Sequence, residues 1–170
     1  MQSNKEEEDV KDKDMVNDNI QRLKHQELWH AVELNNQEKV TSYLDTYEEK
    51  SGEELKEAEL YDHTGNSIIH KAASLGHAEV LMLLLERTGA TPDLVNASLA
   101  TPLHLSCKND RLDASKFLIG CGVDANMQDE HGQVPLLICC IHGHFDQARL
   151  LIEANGSGHL PEPLEVDLKD

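Results

Sequence analysis

Residues 138–145 bring together four side chains that could bind a metal ion: Cys139, Cys140, His142 and His144. Thiolate and imidazole groups are ligands that tetrahedral zinc accepts, but closed zinc sites normally space their cysteines as in C-x2-C. Adjacent residues of a helix point about 100 degrees apart, so Cys139 and Cys140 cannot both face one ion. The spacing therefore predicts structural cysteines and no metal site. Zinc that is retained by the protein and lost on Cys139→Ala would contradict this prediction.

A catalytic site is not predicted either. A nucleophile needs a base within hydrogen-bond reach and an oxyanion donor, and no motif such as G-x-S-x-G supplies them. The sequence also has no glycine-rich phosphate loop and no recognisable carboxylate pair. We expect no catalytic residues, no cofactor and no enzymatic activity.

The segments that carry these residues recur with a fixed period. SIIH at 67–70, TPLH at 101–104 and VPLL at 134–137 begin 34 and then 33 residues apart, and such a period is typical of stacked repeats. Each is followed by two small residues, a turn and a second apolar run. The three sets are Ala72-Ala73, Gly76-His77 and Leu84-Leu85; Ser106-Cys107, Asp110-Arg111 and Leu118-Ile119; and Cys139-Cys140, Gly143-His144 and Leu151-Ile152.

These residues resemble the ankyrin repeat from about Leu28 to Asn155. The resemblance implies an all-α solenoid of about four helix-turn-helix repeats with short β-hairpin fingers. It also implies that His70 and His104 hydrogen-bond the finger of the neighbouring repeat. Cys139 and Cys140 then occupy the buried positions of Ala72 and Ala73 and act as small hydrophobes.

Helix capping agrees with this arrangement. Thr101 can cap the first turn of a helix, and Pro102 at the first helical position gives up an N–H that has no partner there. Val134 cannot cap in this way. We expect that loss to cost about 1 kcal/mol and the last repeat to open first. Leu99 replaces the usual finger glycine and is expected to be strained or rearranged, with packing favoured over a role as an exposed contact.

An imperfect first repeat, offset by 41 residues from the second, completes a predicted ankyrin-repeat domain over residues 18–156. Its repeats cover 18–60, 61–94, 95–127 and 128–156, and the first includes an acidic loop at 48–59. Residues 1–17 are predicted to be a disordered acidic tail. The segment LPEPLEVDL lies in a C-terminal tail, 157–170, and either covers the last repeat or serves as a peptide motif; we favour the cover.

Charge limits the choice of partner. The formal net charge is −17, from 32 acidic and 15 basic residues, without a cluster of Lys or Arg. Nucleic acid and anionic membranes would repel such a chain, whereas a basic protein would be attracted. No secretory signal or apolar run of about 20 residues is found, so we expect reduced cysteines and a location in the cytoplasm, with the nucleus as a further site.

The resemblance implies protein recognition by a concave face built from the fingers and the first helices. Tyr61, Leu75 and Ile141 are the predicted anchors, since exposed apolar side chains on a rigid face dominate binding energy. Mutation of Tyr61 and Leu75 should weaken binding without changing thermal stability. The full predicted surface comprises Glu33, Leu34, Tyr61, His63, Thr64, Asn66, Ser74, Leu75, Ala97, Ser98, Ala100, Lys108, Asn109, Gln128, Glu130, His131, Gln133, Ile141 and His142.

Two functional hypotheses follow. The first is a monomeric, non-enzymatic adaptor that binds another protein, in its sharper form an acidic chaperone or escort for a basic client. The second is a metal- or redox-responsive protein that uses its four cysteines, Cys107, Cys121, Cys139 and Cys140. Cys121 lies between two glycines and is the only one expected to be reachable by oxidants.

Overall fold

The computed structural model describes residues 26–51 and 61–156, without the side chains of residues 47–51. These ranges contain eight helices. They are α1 (26–33), α2 (Gln37–Ser51), α3 (Ile68–Leu75), α4 (Ala78–Thr88), α5 (Pro102–Lys108), α6 (Leu112–Gly120), α7 (Pro135–His142) and α8 (Phe145–Gly156). The predicted N-terminal tail at 1–17, the first residues of the predicted domain (18–25), most of the acidic loop and the C-terminal tail lie outside the described residues.

The helices stack in two rows. Helices α3, α5 and α7 contact one another in order and form an inner row, while α2, α4, α6 and α8 do the same in an outer row. The pairs α3 and α4, α5 and α6, and α7 and α8 also pack together. Each pair buries its apolar side against its neighbours, so one core runs through the stack. The predicted all-α solenoid is confirmed.

The turn inside each pair has the same geometry four times. A residue with positive φ ends the first helix at Asn35, Gly76, Asp110 and Gly143. The next amide donates to the carbonyl five residues earlier in all four turns, as His77 N–H does to Ala72 at 3.1 Å. A left-handed backbone conformation costs about 1–2 kcal/mol for a residue other than glycine. Asn35 and Asp110 are therefore strained in a conformation that the stacking imposes. The imperfect first repeat therefore has the same turn between its two helices as the others.

The inner helices begin at the predicted caps. Ser67 and Thr101 have extended backbone, and their hydroxyl oxygens accept hydrogen bonds from the amides of His70 and His104. Each imidazole accepts the cap residue's own backbone N–H in return, which closes a reciprocal capping box. Val134 occupies the same position in the fourth repeat and makes no side-chain cap. Helix α7 thus starts without the hydrogen bonds that α3 and α5 have.

The fingers are tight turns rather than extended ribbons. Asp62, Asn96 and Asp129 each begin one, and in each the backbone amide of this residue donates to the carbonyl four residues later, at 2.8–3.0 Å. Their side-chain oxygens accept two further backbone amides inside the turn. Within the described ranges, the one residue pair with β-bridge geometry is Tyr61 and Ser67. The predicted hairpins are present in this minimal form.

Leu99 shows how a non-glycine residue is held in a finger. Its φ of 57° matches the left-handed φ of Gly65 and Gly132 at the equivalent positions. The prediction of strain is therefore confirmed, and the finger is not rearranged. About half of the Leu99 side chain is exposed, so packing does not explain its presence.

Candidate protein-binding surface

A buried histidine ties each inner helix to the next finger. His70 Nε2 donates to the carbonyl of Ala100 at 2.9 Å, because a carbonyl oxygen can only accept. Its Nδ1 is therefore unprotonated and accepts from the Ser67 amide at 3.2 Å. Burial, which disfavours the charged imidazolium, lowers the pKa of His70 despite the opposing effect of the Ala100 hydrogen bond. The ring acts as a neutral structural link between the second and third repeats.

His104 repeats this arrangement one step further along the stack. Its Nε2 donates to the carbonyl of Gln133 at 3.0 Å, and its Nδ1 accepts from the Thr101 amide at 3.1 Å. Burial again lowers the pKa of the ring. The predicted contact of both histidines with the neighbouring finger is confirmed, and Leu137 replaces the histidine in the fourth repeat.

Adjacent fingers are also bonded to each other. The side-chain amide of Asn96 donates to the side-chain oxygen of Asn66 at 2.7 Å. The backbone amide of Glu130 donates to the carbonyl of Ser98 at 2.9 Å. These bonds and the histidine links fix the three fingers relative to the inner helices, so the side chains between them are displayed on a pre-organised frame.

Most of the predicted contact residues are accessible on this frame. Leu34 and Ile141 stand out, with 60% and 57% of their surfaces exposed; Leu34 directly follows α1, and Ile141 lies in the last turn of α7. Leu34 was not predicted as an anchor; its alignment with Leu75 was the available signal. Leu75 itself is half-buried. The exposed members of the predicted set are Glu33, Leu34, Tyr61, His63, Thr64, Ala97, Lys108, Asn109, Gln128, Glu130, His131, Ile141 and His142.

Ala100 is not available to a partner, and its assignment to the surface was wrong. Only 7% of the residue is exposed, because it sits where His70 meets the finger of the third repeat. Asn66 and Ser98 are partly buried, and each has one oxygen occupied by a bond between fingers: the Asn66 side-chain oxygen accepts from Asn96, and the Ser98 carbonyl accepts from Glu130. Ser74 and Gln133 are also partly buried, and the Gln133 carbonyl is occupied by His104.

The charged groups on this face carry both signs. Lys71 donates to the Glu33 carboxylate at 2.9 Å, and this hydrogen bond lowers the pKa of Glu33. Lys108 and Glu130 are exposed further along the face. Burial would raise the pKa of Asp62, but hydrogen bonds from Thr64 and Asn66 outweigh it and keep the carboxylate ionised. The face is therefore not a purely acidic surface.

The cysteine and histidine cluster is divided between different surroundings. Cys139 is fully buried and lies against Cys107 of the third repeat, and this contact is the main cause that lowers the pKa of Cys139 and raises that of Cys107. His144 Nδ1 bonds the Cys107 carbonyl at 2.8 Å, and His142 Nδ1 bonds the Ile138 carbonyl at 2.9 Å. Among the described residues, no group of three or more His, Cys, Asp or Glu side chains could hold a metal ion.

Cys140 contradicts the expectation that it fills a buried slot. It is exposed, whereas the equivalent Cys107 and Ala73 are buried by the repeat that follows them. No helix pair follows α7 and α8 in the described part of the chain, and this explains the difference. Among the described residues Cys121 and Cys140 are both exposed, so the prediction that Cys121 alone is accessible does not hold for this part of the chain.

Stacked helix pairs with bonded fingers and an accessible inner face define a protein built from tandem helical repeats. The chain belongs to the ankyrin-repeat family: the family profile described as ankyrin repeats in three copies matches residues 28–129 and 88–162. Members of this family bind other proteins and are typically non-catalytic. None of the helices in the described ranges has the length and apolarity that a membrane span requires.

Curated relatives share the repeats over part of their length. The chain is 31% identical over 88 residues to the target of rapamycin complex 2 subunit AVO2 of Saccharomyces cerevisiae, which covers 52% of this chain and 21% of the relative. It is 36% identical over 86 residues to protein phosphatase 1 regulatory subunit 27 of Mus musculus, covering 46% and 56%. It is 37% identical over 73 residues to the nuclear factor NF-kappa-B p105 subunit of Gallus gallus, covering 42% and 7%. The chain thus spans from under a tenth to just over half of these relatives.

Proposed function

We propose that this protein is a non-enzymatic adaptor that binds a partner protein through the inner face of its repeats. The observation that carries the proposal is the display of Leu34 and Ile141 on a frame whose fingers are fixed by His70 and His104. Rigid presentation of apolar side chains reduces the entropy lost on binding, so such residues contribute most to affinity.

The relatives support this role in general terms. One is named as a subunit of a target of rapamycin complex and another as a regulatory subunit of protein phosphatase 1. Both names describe proteins that work within assemblies. They support the proposal that this chain is a component that binds another protein.

The partner is proposed to be basic. Residues 48–59 contain six acidic side chains and two lysines, and this segment leads from the end of α2 to Tyr61 at the first finger. Negative charge in this segment would attract a basic client and speed its encounter at low salt. In this sharper form the protein is an acidic escort or chaperone, acting as a monomer in the cytoplasm, with the nucleus as a further location.

The binding face is tested with a matched pair of variants. Leu34→Ala combined with Ile141→Ala should reduce partner capture at least tenfold, measured by affinity capture with quantitative mass spectrometry. Met82→Ala removes an exposed apolar side chain, 42% accessible, from the outer helix α4 and should leave capture unchanged. Thermal unfolding of all variants should coincide. Equal loss in both variants, or no loss in the double variant, would contradict the proposed face.

The charge of the client is tested separately. Replacing Glu53, Glu54, Glu57 and Glu59 by Gln should slow association with the captured partner at least threefold and flatten the dependence of its rate on salt. Association is measured by surface plasmon resonance at low and moderate salt. If the rate and its salt dependence do not change, the partner does not depend on this acidic segment, while the adaptor role itself would stand.

A further inference from the structure

The last helix pair exposes a surface that resembles the joint between two repeats. We call Leu137, Cys140, Phe145 and Ile152 the end face. Leu137, Phe145 and Ile152 have 45%, 80% and 57% of their surfaces exposed. The residues at the positions of Leu137, Cys140 and Ile152 in the third repeat are buried by the fourth: they are His104, Cys107 and Ile119.

The end face therefore has the composition of an interior surface. The third repeat presents a hydrogen-bonding histidine at the first of these positions, and its Nε2 needs the carbonyl of a following finger. Leu137 at the same position needs no hydrogen-bond acceptor. An occupant of the end face needs apolar side chains but no finger, so a short extended segment would satisfy it.

Residues 157–170 follow α8 directly and have the required composition. Leu164, Val166 and Leu168 alternate with Glu165 and Asp167. In an extended segment, alternate side chains point to opposite sides, which would place the three apolar residues on one side and the two carboxylates on the other. Proline residues at positions 161 and 163 oppose continuation of a helix and favour extended backbone.

The reach of this segment is sufficient. Helix α8 has 12 residues and is about 18 Å long at ~1.5 Å per residue. The 14 residues after Gly156 can span about 46 Å when extended, at ~3.3 Å per residue. The segment can therefore turn back after α8 and cross both helices of the last pair. Attachment to the same chain gives it an effective concentration on the order of millimolar, well above that of a second copy in dilute solution.

We propose that residues 160–168 pack across the end face, with Leu164, Val166 and Leu168 against α7 and α8, and close the stack in place of a further repeat. The contact covers Cys140 and leaves Cys121 exposed at the turn after α6. The labelling rate of Cys140 therefore reports whether this segment covers the end face, and the labelling rate of Cys121 serves as a reference in the same molecule. This inference is independent of which protein the inner face binds.

The test measures thiol labelling of the full chain, resolved by residue with mass spectrometry. In the triple variant Leu164→Ser, Val166→Ser and Leu168→Ser, the labelling rate of Cys140 should rise at least tenfold over the unmodified chain. The rate of Cys121 should stay the same. The matched control Glu165→Ser with Asp167→Ser alters the opposite side of the segment and should leave both rates unchanged.

Other outcomes overturn the proposal. Cys140 that labels equally fast in the unmodified chain and the triple variant indicates an end face that this segment does not cover. Slow labelling that is accelerated by dilution, with a dimeric mass in light scattering, indicates a second copy as the occupant. Protection of the buried Cys107 and Cys139 in every variant shows that the repeats remain folded, so loss of structure cannot imitate the expected result.

Discussion

The second repeat and the joint between the third and fourth repeats differ at equivalent buried positions: the side chains are apolar in the second repeat and polar at the joint. Ala72, Val80 and Leu81 are fully buried and apolar in the second repeat. Serine residues 106 and 115 replace Ala72 and Leu81 in the third repeat, and their hydroxyls bond each other at 2.8 Å. In the fourth repeat Gln147 stands where the second has Val80, and it is equally buried.

The joint between the third and fourth repeats contains a buried polar side chain whose hydrogen bonding is incomplete. The side-chain nitrogen of Gln147 donates to the Ser106 carbonyl at 3.4 Å, a long hydrogen bond. Its side-chain oxygen has no hydrogen-bond partner within the described part of the chain. A buried polar atom without a partner costs about 1–3 kcal/mol. Since the stability of stacked repeats is a sum over interfaces, the fourth repeat should open before the second.

The largest expected effect on stability comes from placing in the second repeat the serine that the third repeat has at the equivalent position. Leu81→Ser should reduce the free energy of unfolding by about 3 kcal/mol, because it removes a buried leucine side chain and adds an unpaired hydroxyl. Chemical denaturation followed by circular dichroism measures the change. A loss below about 1 kcal/mol would show that the two interfaces tolerate polar groups equally.

Acid should weaken both regions through their histidines. Burial lowers the pKa of His70 and of His104, so the unfolded chain binds protons at a higher pH than the folded chain. Stability should therefore fall as the pH drops below the unfolded value of about 6.5, by at most ~1.4 kcal/mol per pH unit for each histidine.

Denaturation midpoints between pH 7.5 and 5 test this dependence. His70→Gln with His104→Gln should flatten the pH dependence in that window, whatever its effect on stability at neutral pH. A slope that persists in the double variant would assign the effect to other groups.

Removing the incompletely bonded side-chain amide of Gln147 should stabilise the joint between the third and fourth repeats. Gln147→Leu is expected to raise the free energy of unfolding by about 1–2 kcal/mol, since it replaces an unsatisfied polar group by an apolar one of similar volume. Hydrogen exchange of α7 and α8, resolved by peptide, should slow more than that of α3 and α4. Faster exchange in α7 and α8 would mean that the hydrogen bond to Ser106 is worth more than the unpaired oxygen costs.

The smallest expected effect concerns the missing cap. Val134→Thr restores the residue that caps α5 and should add about 1 kcal/mol of stability to the fourth repeat. Thr101→Val is the reciprocal variant and should remove a similar amount from the third. Thermal unfolding measures both, and unequal changes would show that the surroundings of the two caps differ.

The sequence was sufficient for the features that depend on local pattern. The period of 34 and 33 residues, the caps at Ser67 and Thr101 and the paired small residues determine where helices start and where they approach closely. Each follows from backbone geometry within a few residues. The helix starts and the close approach of the helices could therefore be predicted from the pattern, whereas the fold class and the links made by His70 and His104 were expected from the resemblance to the ankyrin repeat.

Only the tertiary structure decided which side chains are accessible. Cys140 occupies the same position as buried Cys107 but is exposed, and Ala100 is buried although neighbouring finger positions are open. The reason is that burial depends on the neighbouring units in the stack: His70 of the preceding repeat meets the finger at Ala100, whereas no helix pair follows the last one in the described chain. The repeating pattern shows which position of a repeat a residue occupies, whereas the exposure of that residue depends on where its repeat lies in the stack.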